Sequence, residues 1–178
     1  MNVSLMMKAL KRLDEKLSES KLGKAQILIG GGSAFALAYR IPIQTADIDG
    51  VLFKCAVDHS QLDPLVKAVG RDLKIAGDWL NPYFETFLFC LPPDYGDRLK
   101  NVYQGNSLKA VALGPTDLLI MKCFAGREKD LLHAKWLVKK GADLSFAETH
   151  IRSLMDKSVP GASAALDFLF DVEDQVME

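Results

Sequence analysis

The feature that most constrains the fold is a junction early in the chain. There the apolar run AQILI leads directly into three glycines, and these lead into the helix-forming stretch SAFALAYR. The pattern predicts a strand over 25–29, a glycine turn and a helix over 33–40. Glycines allow positive φ and a close backbone approach to a ligand, and the first N–H groups of a helix can bind an anion such as phosphate. Gly31, Gly32 and Ser33 are therefore candidate phosphate contacts, although a plain strand–helix connection with Ser33 as N-cap also fits the pattern.

Two carboxylates begin the next predicted strand. In DIDGVLF, residues 47–53, Asp47 and Asp49 flank Ile48. Residues i and i+2 of a strand share one face and lie about 7 Å apart. Close carboxylates stay ionised together most easily when a cation lies between them, and an all-oxygen site suits Mg²⁺ or Mn²⁺. The pair is a candidate metal site, and two solvated acids at an exposed strand start are the alternative.

Three better-known glycine motifs fit the junction poorly. A P-loop requires a Lys-Ser/Thr pair after the glycines, which this sequence lacks. A nucleophile elbow, GxSxG, requires glycine where Phe35 stands. A GxGxxG dinucleotide fingerprint would also place Phe35 at its third glycine, yet Asp47 or Asp49 lies near the distance expected of a ribose-binding acid. A dinucleotide-binding oxidoreductase is weakened by this pattern and stays an open alternative.

The rest of the chain divides into a mixed first part and a helical second part. Helical spacing and short apolar runs predict further elements on both sides of that division. These are helices over 3–19, 58–74, 114–141, 145–157 and 161–176, and strands over 83–90 and 108–114. We expect an α+β fold in which residues 1–113 form a small mixed sheet with flanking helices. Residues 114–178 would form a helical part that packs on this core as one compact unit.

The composition limits the partners and the compartment. The formal net charge of −1 gives no global basic field for binding nucleic acid, although a local basic patch remains open. Three cysteines without a CxxC pair fit a reducing cytosol better than a zinc ribbon or a disulfide scaffold. The sequence has neither a signal-peptide core nor an apolar run of the ~18 residues that span a bilayer. We expect a cytoplasmic protein with no membrane partner.

The glycine turn and the acidic pair together resemble the signature of the nucleotidyltransferase superfamily related to DNA polymerase β. That signature is a Gly-Gly-Ser turn that opens a helix, followed by Asp-x-Asp on the next strand; here the matching stretches are Gly31-Gly32-Ser33 and Asp47-Ile48-Asp49. The segment LGPTDLLIMKCFAGREKDLLHAKWLV looks like the helical segment of the AbiEii-type branch and of poorly characterised bacterial relatives. Proteins of the AbiEii-type branch are often found as toxins in bacterial toxin–antitoxin pairs. In that branch a Lys precedes an Arg and then an acid, and Lys122, Arg127 and Asp130 fill those places. The similarity spans most of residues 25–140.

The resemblance implies a nucleotidyltransferase-like fold and a reaction. An acceptor hydroxyl on RNA or protein would attack the α-phosphate of an NTP, and pyrophosphate would leave. Asp47 and Asp49 would be catalytic and would hold Mg²⁺ or Mn²⁺, while the turn at 31–33 would hold the β- and γ-phosphates. Lys122 and Arg127 would also bind the nucleotide, and a cognate antitoxin or toxin would be a protein partner.

Lys122 supports a nucleotide contact without reference to any family, because it stands inside the apolar stretch LLIMKCFA. A buried ammonium is costly unless it meets an anion, and a triphosphate would supply one. A lysine stem that lies along the helix with its charged head in water is the alternative.

Members of the superfamily usually carry a third carboxylate on a later strand. Glu85, in the predicted strand YFETFLFC, is the candidate here, but it does not stand in the typical arrangement, and the AbiEii-type pattern has an acid where this chain has His133. A second hypothesis is therefore a non-catalytic nucleotide-binding or regulatory module with a degenerate site. Trp79 and Asn81 are candidates for base contacts, with core packing as the alternative for Trp79.

Overall fold

The chain alternates short strands with helices up to residue 112 and is helical after it. A computed structural model describes residues 1–177. The α-helices are α1 (Val3–Ser20), α2 (Gly31–Tyr39), α3 (His59–Leu73), α4 (Pro115–Ala125), α5 (Glu128–Lys139), α6 (Leu144–Asp156) and α7 (Ala162–Met177). The strands are β1 (Ala25–Ile29), β2 (Ile48–Leu52), β3 (Leu80–Asn81), β4 (Lys100–Gln104) and β5 (Leu108–Ala112). Two 3₁₀ helices cover Tyr83–Cys90 and Tyr95–Arg98.

The chain forms two compact units. The first comprises residues 1–85 and 99–112, and therefore holds the whole sheet with α1, α2 and α3. The second comprises residues 86–98 and the chain from 113 onward, with α4 to α7. The chain thus contributes residues 86–98 to the helical unit before it returns to the sheet.

The first unit is built on a mixed sheet with the strand order β3-β2-β1-β5-β4. β1 runs antiparallel to β2 and parallel to β5, while β2 runs parallel to β3. The central strand β1 has neighbours on both sides, and its residues Ile27, Leu28 and Ile29 are fully buried. A short run of apolar residues is typical of a strand that is covered on both faces.

The amphipathic helix α1 packs on α3 within this unit. Its apolar stripe is buried at Met6, Leu10, Leu13 and Leu17. Asn2 caps its N-terminus by accepting the N–H of Leu5 at 2.9 Å, which satisfies one of the donors that a helix leaves free at its start. The helical spacing that predicts this element is confirmed.

The α+β class is confirmed by this mixed sheet and its helices. Because β2 and β4 each run antiparallel to a neighbouring strand, the sheet is not a parallel, doubly wound one. The dinucleotide-binding alternative, which requires such a sheet, is therefore wrong.

The strand predicted over 83–90 is wrong. These residues form a 3₁₀ helix instead, and the N–H of Glu85 donates to the carbonyl of Pro82 at 2.8 Å. A continuous apolar run without polar alternation does not by itself distinguish strand from helix. Pro82 also ends β3, because proline lacks the N–H that a ladder needs.

The helical stretch predicted over 114–141 consists of two helices, α4 and α5. Gly126 adopts a φ of +58° and its N–H donates to the carbonyl of Lys122 at 3.0 Å, which ends α4. Such a left-handed glycine is a common helix terminator. Gly114 is the N-cap of α4, and Pro115 is its first helical residue.

Across residues 1–177, no helix combines the length and the apolar character needed to cross a bilayer.

Candidate active site

The glycine turn follows β1 directly and opens α2. Gly30 is the N-cap of α2, and Gly31 adopts a φ of +53°, a left-handed conformation that favours glycine. The N–H of Gly30 donates to the carbonyl of Asp49 at 3.0 Å. The turn is therefore joined by its backbone to the start of β2, where the acidic pair lies.

Ser33 connects the same two segments through its side chain. Its hydroxyl is fully buried, donates to the carbonyl of Gly30 at 3.0 Å and accepts the N–H of Asp49 at 3.0 Å. The plain interpretation of Ser33 as N-cap is wrong, because Gly30 holds that position. The proton of this hydroxyl is already donated to the carbonyl of Gly30. A phosphate contact through the Ser33 hydroxyl stays a prediction, and it would require this hydrogen bond to be exchanged.

Asp49 lies directly against the backbone of the turn. A Cβ placed on Gly31 would come within 1.9 Å of Asp49 Oδ2, so a side chain at position 31 could not coexist with the carboxylate where it stands. Both the φ of Gly31 and the space around it require glycine. The two motifs that the sequence presents separately thus form one site.

Asp47 lies in the bend that leads into β2, two residues before Asp49. Both residues are half-buried, while Ile48 between them is fully buried and faces the other way. Asp47 Oδ2 accepts the side-chain amide of Asn81 at 2.6 Å, and Asp47 Oδ1 accepts the hydroxyl of Thr45 at 3.3 Å. The donors that orient Asp47 are therefore neutral.

Asn81 is a residue of this site whose contact with the acidic pair the sequence does not reveal. It lies on β3, paired in register with Asp49. Its Oδ1 accepts the N–H of Tyr83 at 3.0 Å, which turns its amide nitrogen toward Asp47. Because β3 has only two residues, no alternating pattern predicts it. The one local signal of a strand end is the polar residue before Pro82.

The acidic pair is compatible with a magnesium ion. Within residues 1–177, no three His, Cys, Asp or Glu side chains lie close enough together to hold a metal ion by themselves. Mg²⁺ usually binds one or two carboxylates and completes its shell with water and substrate phosphates. Two half-buried carboxylates beside the glycine turn are a donor set of this kind.

Lys122 and Arg127, the other predicted nucleotide contacts, belong to the second unit, where they converge on Asp130. Lys122 is buried, and its Nζ lies 2.6 Å from Asp130 Oδ1. Arg127 is half exposed, and its Nε lies 2.7 Å from Asp130 Oδ2. His133 Nδ1 lies 3.4 Å from Asp130 Oδ1. Asp130 supplies the anion that the burial of Lys122 requires, and a triphosphate contact by either residue stays a prediction.

The ionisation of Asp130 follows from these neighbours. Burial would raise the pKa of Asp130, but the hydrogen bonds from His133, Arg127 and Lys122 outweigh burial and hold that pKa well below its usual range. Asp130 is fully buried. The carboxylate is therefore ionised near neutral pH and compensates the charge of Lys122 inside the fold.

The remaining candidates have clear positions. Glu85 is exposed on the 3₁₀ helix, and its catalytic role stays a prediction. Its neighbour Phe84 is buried, with its ring against Gly30, where an added Cβ would lie 2.7 Å from the ring. Trp79 is fully buried and its indole N–H donates to the carbonyl of Val66 at 2.9 Å. Core packing, the alternative to a base contact, therefore explains Trp79.

Comparison with known proteins decides the family. A family model described as "Nucleotidyltransferase of unknown function (DUF6036)" matches residues 8–155, well over half of the chain. The chain belongs to this nucleotidyltransferase family. Neither a curated protein nor a solved structure matches it significantly.

The nucleotidyltransferase match covers both groups of candidate residues. It begins inside α1 and ends inside α6. The glycine turn, the acidic pair and the Asp130 cluster all fall within it. The membership agrees with the superfamily that the two sequence motifs indicate.

Proposed function

We propose that the chain is a Mg²⁺-dependent nucleotidyltransferase that moves a nucleotide from an NTP to a hydroxyl of RNA or protein. The observation that carries this proposal is the contact between the two motifs, in which the Asp49 carboxylate fills the place of a side chain at Gly31. A phosphate bound at the turn would then adjoin the carboxylate pair. The family membership supports the same activity.

The turn supplies the phosphate contacts. The first N–H groups of α2, beginning at Gly31, lack acceptors within the helix and carry the positive end of its dipole. They would bind the β- and γ-phosphates. Ser33 would act mainly by holding the turn against Asp49, since both of its hydrogen bonds serve that contact.

Asp47 and Asp49 would hold the magnesium ion, and Mn²⁺ suits the same oxygen ligands. A bound Mg²⁺ would neutralise charge on the triphosphate and lower the pKa of the attacking hydroxyl. In the transfer, the acceptor oxygen bonds to the α-phosphorus and the bond to the bridging oxygen breaks. Pyrophosphate leaves, and the hydroxyl proton passes to solvent. Asn81 would keep Asp47 oriented throughout.

Arg127 and Lys122 are nucleotide contacts in this proposal because the sequence resemblance implies that role for them. The half-exposed Arg127 is better suited to this than the buried Lys122. The pattern of Lys122, Arg127 and Asp130 also supports a place in the AbiEii-type branch, and with it a role in a toxin–antitoxin pair. This part of the proposal depends on the sequence resemblance.

A labelled-nucleotide assay tests the proposed activity. The purified protein is mixed with Mg²⁺, each of four α-labelled NTPs, and either total RNA or a protein lysate. We expect label to appear in one acceptor fraction, and we expect Asp47→Ala/Asp49→Ala to lower transfer by about 10³-fold or more, since metal ligands supply several kcal/mol of transition-state stabilisation. A folded protein that neither labels an acceptor nor binds any NTP with Mg²⁺ would refute the proposal.

A non-catalytic nucleotide-binding module is the second candidate. It is favoured by one observation, that the strand next to the acidic pair presents the neutral amide of Asn81 and not a third carboxylate. Under this hypothesis the protein binds NTP and Mg²⁺ without turnover. Asn81→Asp adds the missing carboxylate, so the appearance of transfer in that variant alone would favour the module.

A further inference from the structure

A second concave site lies in the first unit, at the opposite end of β1 from the glycine turn. A pocket of about 210 Å³ opens where β1 begins and where β2 has ended. Since β1 and β2 are antiparallel, Asp49 and the pocket residue Lys54 lie at opposite ends of β2. Five strand residues span about 16 Å, so this pocket is separate from the carboxylate pair.

The pocket is cationic and rich in hydrogen-bond donors. Three lysines line it, Lys24, Lys54 and Lys109, together with the side-chain amides of Gln26, Gln104 and Asn106. Among residues 1–177, no Asp or Glu lines it. We call this site the lysine pocket.

The sheet register sets three of these side chains in a row. Lys109 on β5 pairs with Gln104 on β4 and with Gln26 on β1. Paired residues of neighbouring strands project from the same face with Cβ atoms about 5 Å apart. The Lys109 ammonium is therefore flanked by two amide groups that can donate to the same ligand.

The lysines of the pocket are not neutralised by carboxylates. All three are exposed, and none forms an ion pair with any of residues 1–177. Other lysines of the same unit do form such pairs: Lys16 with Asp72, and Lys67 with Asp63. Lys54 instead places its ammonium 5.1 Å from the centre of the Phe53 ring. Three unpaired ammonium groups around one pocket repel each other, and an anion between them relieves that repulsion.

Asp14 lies behind the turn that closes the pocket, and its carboxylate is hydrogen-bonded to the backbone of that turn. Its carboxylate accepts the N–H groups of Asn106, Ser107 and Leu108 at 2.7 to 3.1 Å. A Cβ on Gly105 would lie 2.2 Å from Asp14 Oδ2, so this turn is fitted around the carboxylate. Asp14 thus fixes the turn that carries Asn106, and it leaves the lysines available to a ligand.

We propose that the lysine pocket binds a phosphate group in the backbone of an RNA acceptor. Its volume is below the ~300–1,000 Å³ of pockets that enclose a whole small molecule, so it fits one phosphate of a longer strand. Lysine ammonium groups and amide donors are suitable phosphate ligands. The inference rests on the proposed transfer reaction for its acceptor, and it selects RNA over protein as the source of the hydroxyl.

Binding of a labelled oligonucleotide tests this inference. The probe is a fluorescein-labelled oligouridylate of about 12 nucleotides, a length within the site sizes of single-strand-binding proteins. Its anisotropy is titrated with the full chain between about 50 and 200 mM salt. We expect Lys24→Gln/Lys54→Gln/Lys109→Gln to weaken binding about tenfold or more at the lower salt. The slope of log K against log salt should become shallower by about 0.7, the contribution of one single-strand phosphate contact.

A matched variant separates a site from bulk charge. Lys8→Gln/Lys74→Gln/Lys140→Gln removes the same charge at exposed positions that do not line the pocket, and it should bind nearly as the parent does. Equal losses in both triple variants, or no loss in the first, would overturn the inference. So would a parent protein that binds inorganic phosphate but not the oligonucleotide. The measurement requires neither NTP nor turnover. The oligonucleotide can therefore bind even if the proposed transfer reaction fails, and the two failures are distinguishable.

Discussion

The two units of the chain hold their key carboxylates in opposite electrostatic settings. In the first unit Asp47 is half-buried and accepts from two neutral groups, the amide of Asn81 and the hydroxyl of Thr45. In the second unit Asp130 is fully buried and is contacted by the ammonium of Lys122 and the guanidinium of Arg127. The neutral donors around Asp47 orient its carboxylate, whereas the cations around Asp130 compensate the charge of its carboxylate.

This difference separates a site from a structural element. A carboxylate whose donors are cations has its charge balanced within the fold, and removing it leaves those cations unpaired. A carboxylate whose donors are neutral keeps its full charge for a cation that comes from outside. Asp47 is therefore expected to matter for activity, and Asp130 for stability.

The largest effect on stability is expected from Asp130→Asn. The substitution leaves the buried Lys122 without its counterion, which should cost about 3–5 kcal/mol in the free energy of unfolding. Urea unfolding of the variant and the parent measures this difference. Asp63→Asn is the matched control, because it removes an exposed ion pair with Lys67 and should cost about 1 kcal/mol or less. Similar costs for the two variants would mean that the Asp130 cluster does not stabilise the fold as described.

The next largest effect is expected from Gly31→Ala, and it should fall on activity more than on stability. The added Cβ would meet the Asp49 carboxylate, which can rotate away on its flexible side chain. A displacement of about 1 Å in a reacting group can cost about 10²-fold in rate. The positive φ of Gly31 should cost the variant about 1–2 kcal/mol of stability.

Gly23→Ala separates the two causes. Gly23 also has a positive φ, of +94°, but an added Cβ there would meet nothing within 4 Å. Both variants should therefore lose comparable stability, as measured by urea unfolding, while nucleotide transfer is lost in Gly31→Ala alone. Equal transfer by the two variants would show that the position of Asp49 against the turn does not matter.

Much of this arrangement could be predicted from local sequence. The run AQILI and the periodic apolar residues of α1 specify their elements because period and composition agree. The glycine turn and the acidic pair meet because β1 and β2 are consecutive and antiparallel, so the end of one strand lies beside the start of the next. The sequence motif and the spatial site therefore coincide.

The parts that could not be predicted depend on contacts between distant residues. β3 has two residues, too few for any pattern, so the contact of Asn81 with Asp47 is visible only in the fold. The apolar surroundings of Lys122 in the sequence predict that an anion lies near it, but they do not say which anion. That anion is Asp130, because the chain turns at Gly126 and α5 then places Asp130 next to Lys122. A continuous helix over 114–141 offers no such return.

A smaller effect on activity is expected from Asn81→Ala, which sharpens the contrast between orienting and compensating donors. Asn81 is a positioning residue, and second-shell partners of this kind usually change metal affinity or activity by about 10–100-fold. We expect about a tenfold rise in the Mg²⁺ concentration needed for half-maximal transfer. Asn101→Ala, which removes an exposed amide on β4, is the control and should leave that concentration unchanged. A loss of rate at saturating Mg²⁺ with no shift in the midpoint would argue against orientation of a metal ligand.

The smallest effect concerns the pH dependence of stability, and it tests whether the cations around Asp130 compensate its charge. The pKa of Asp130 is held well below its usual range in the folded state. A depressed folded-state pKa contributes stability that is complete above the unfolded pKa of about 3.9 and is lost as pH falls toward the folded value. The unfolding free energy of the parent should therefore decline below about pH 4 more steeply than that of Asp130→Asn, by up to about 1.4 kcal/mol per pH unit. Urea unfolding at several pH values, followed by tryptophan fluorescence to which Trp136 of α5 contributes, measures both slopes. Parallel slopes would mean that the cations around Asp130 do not favour its ionised form.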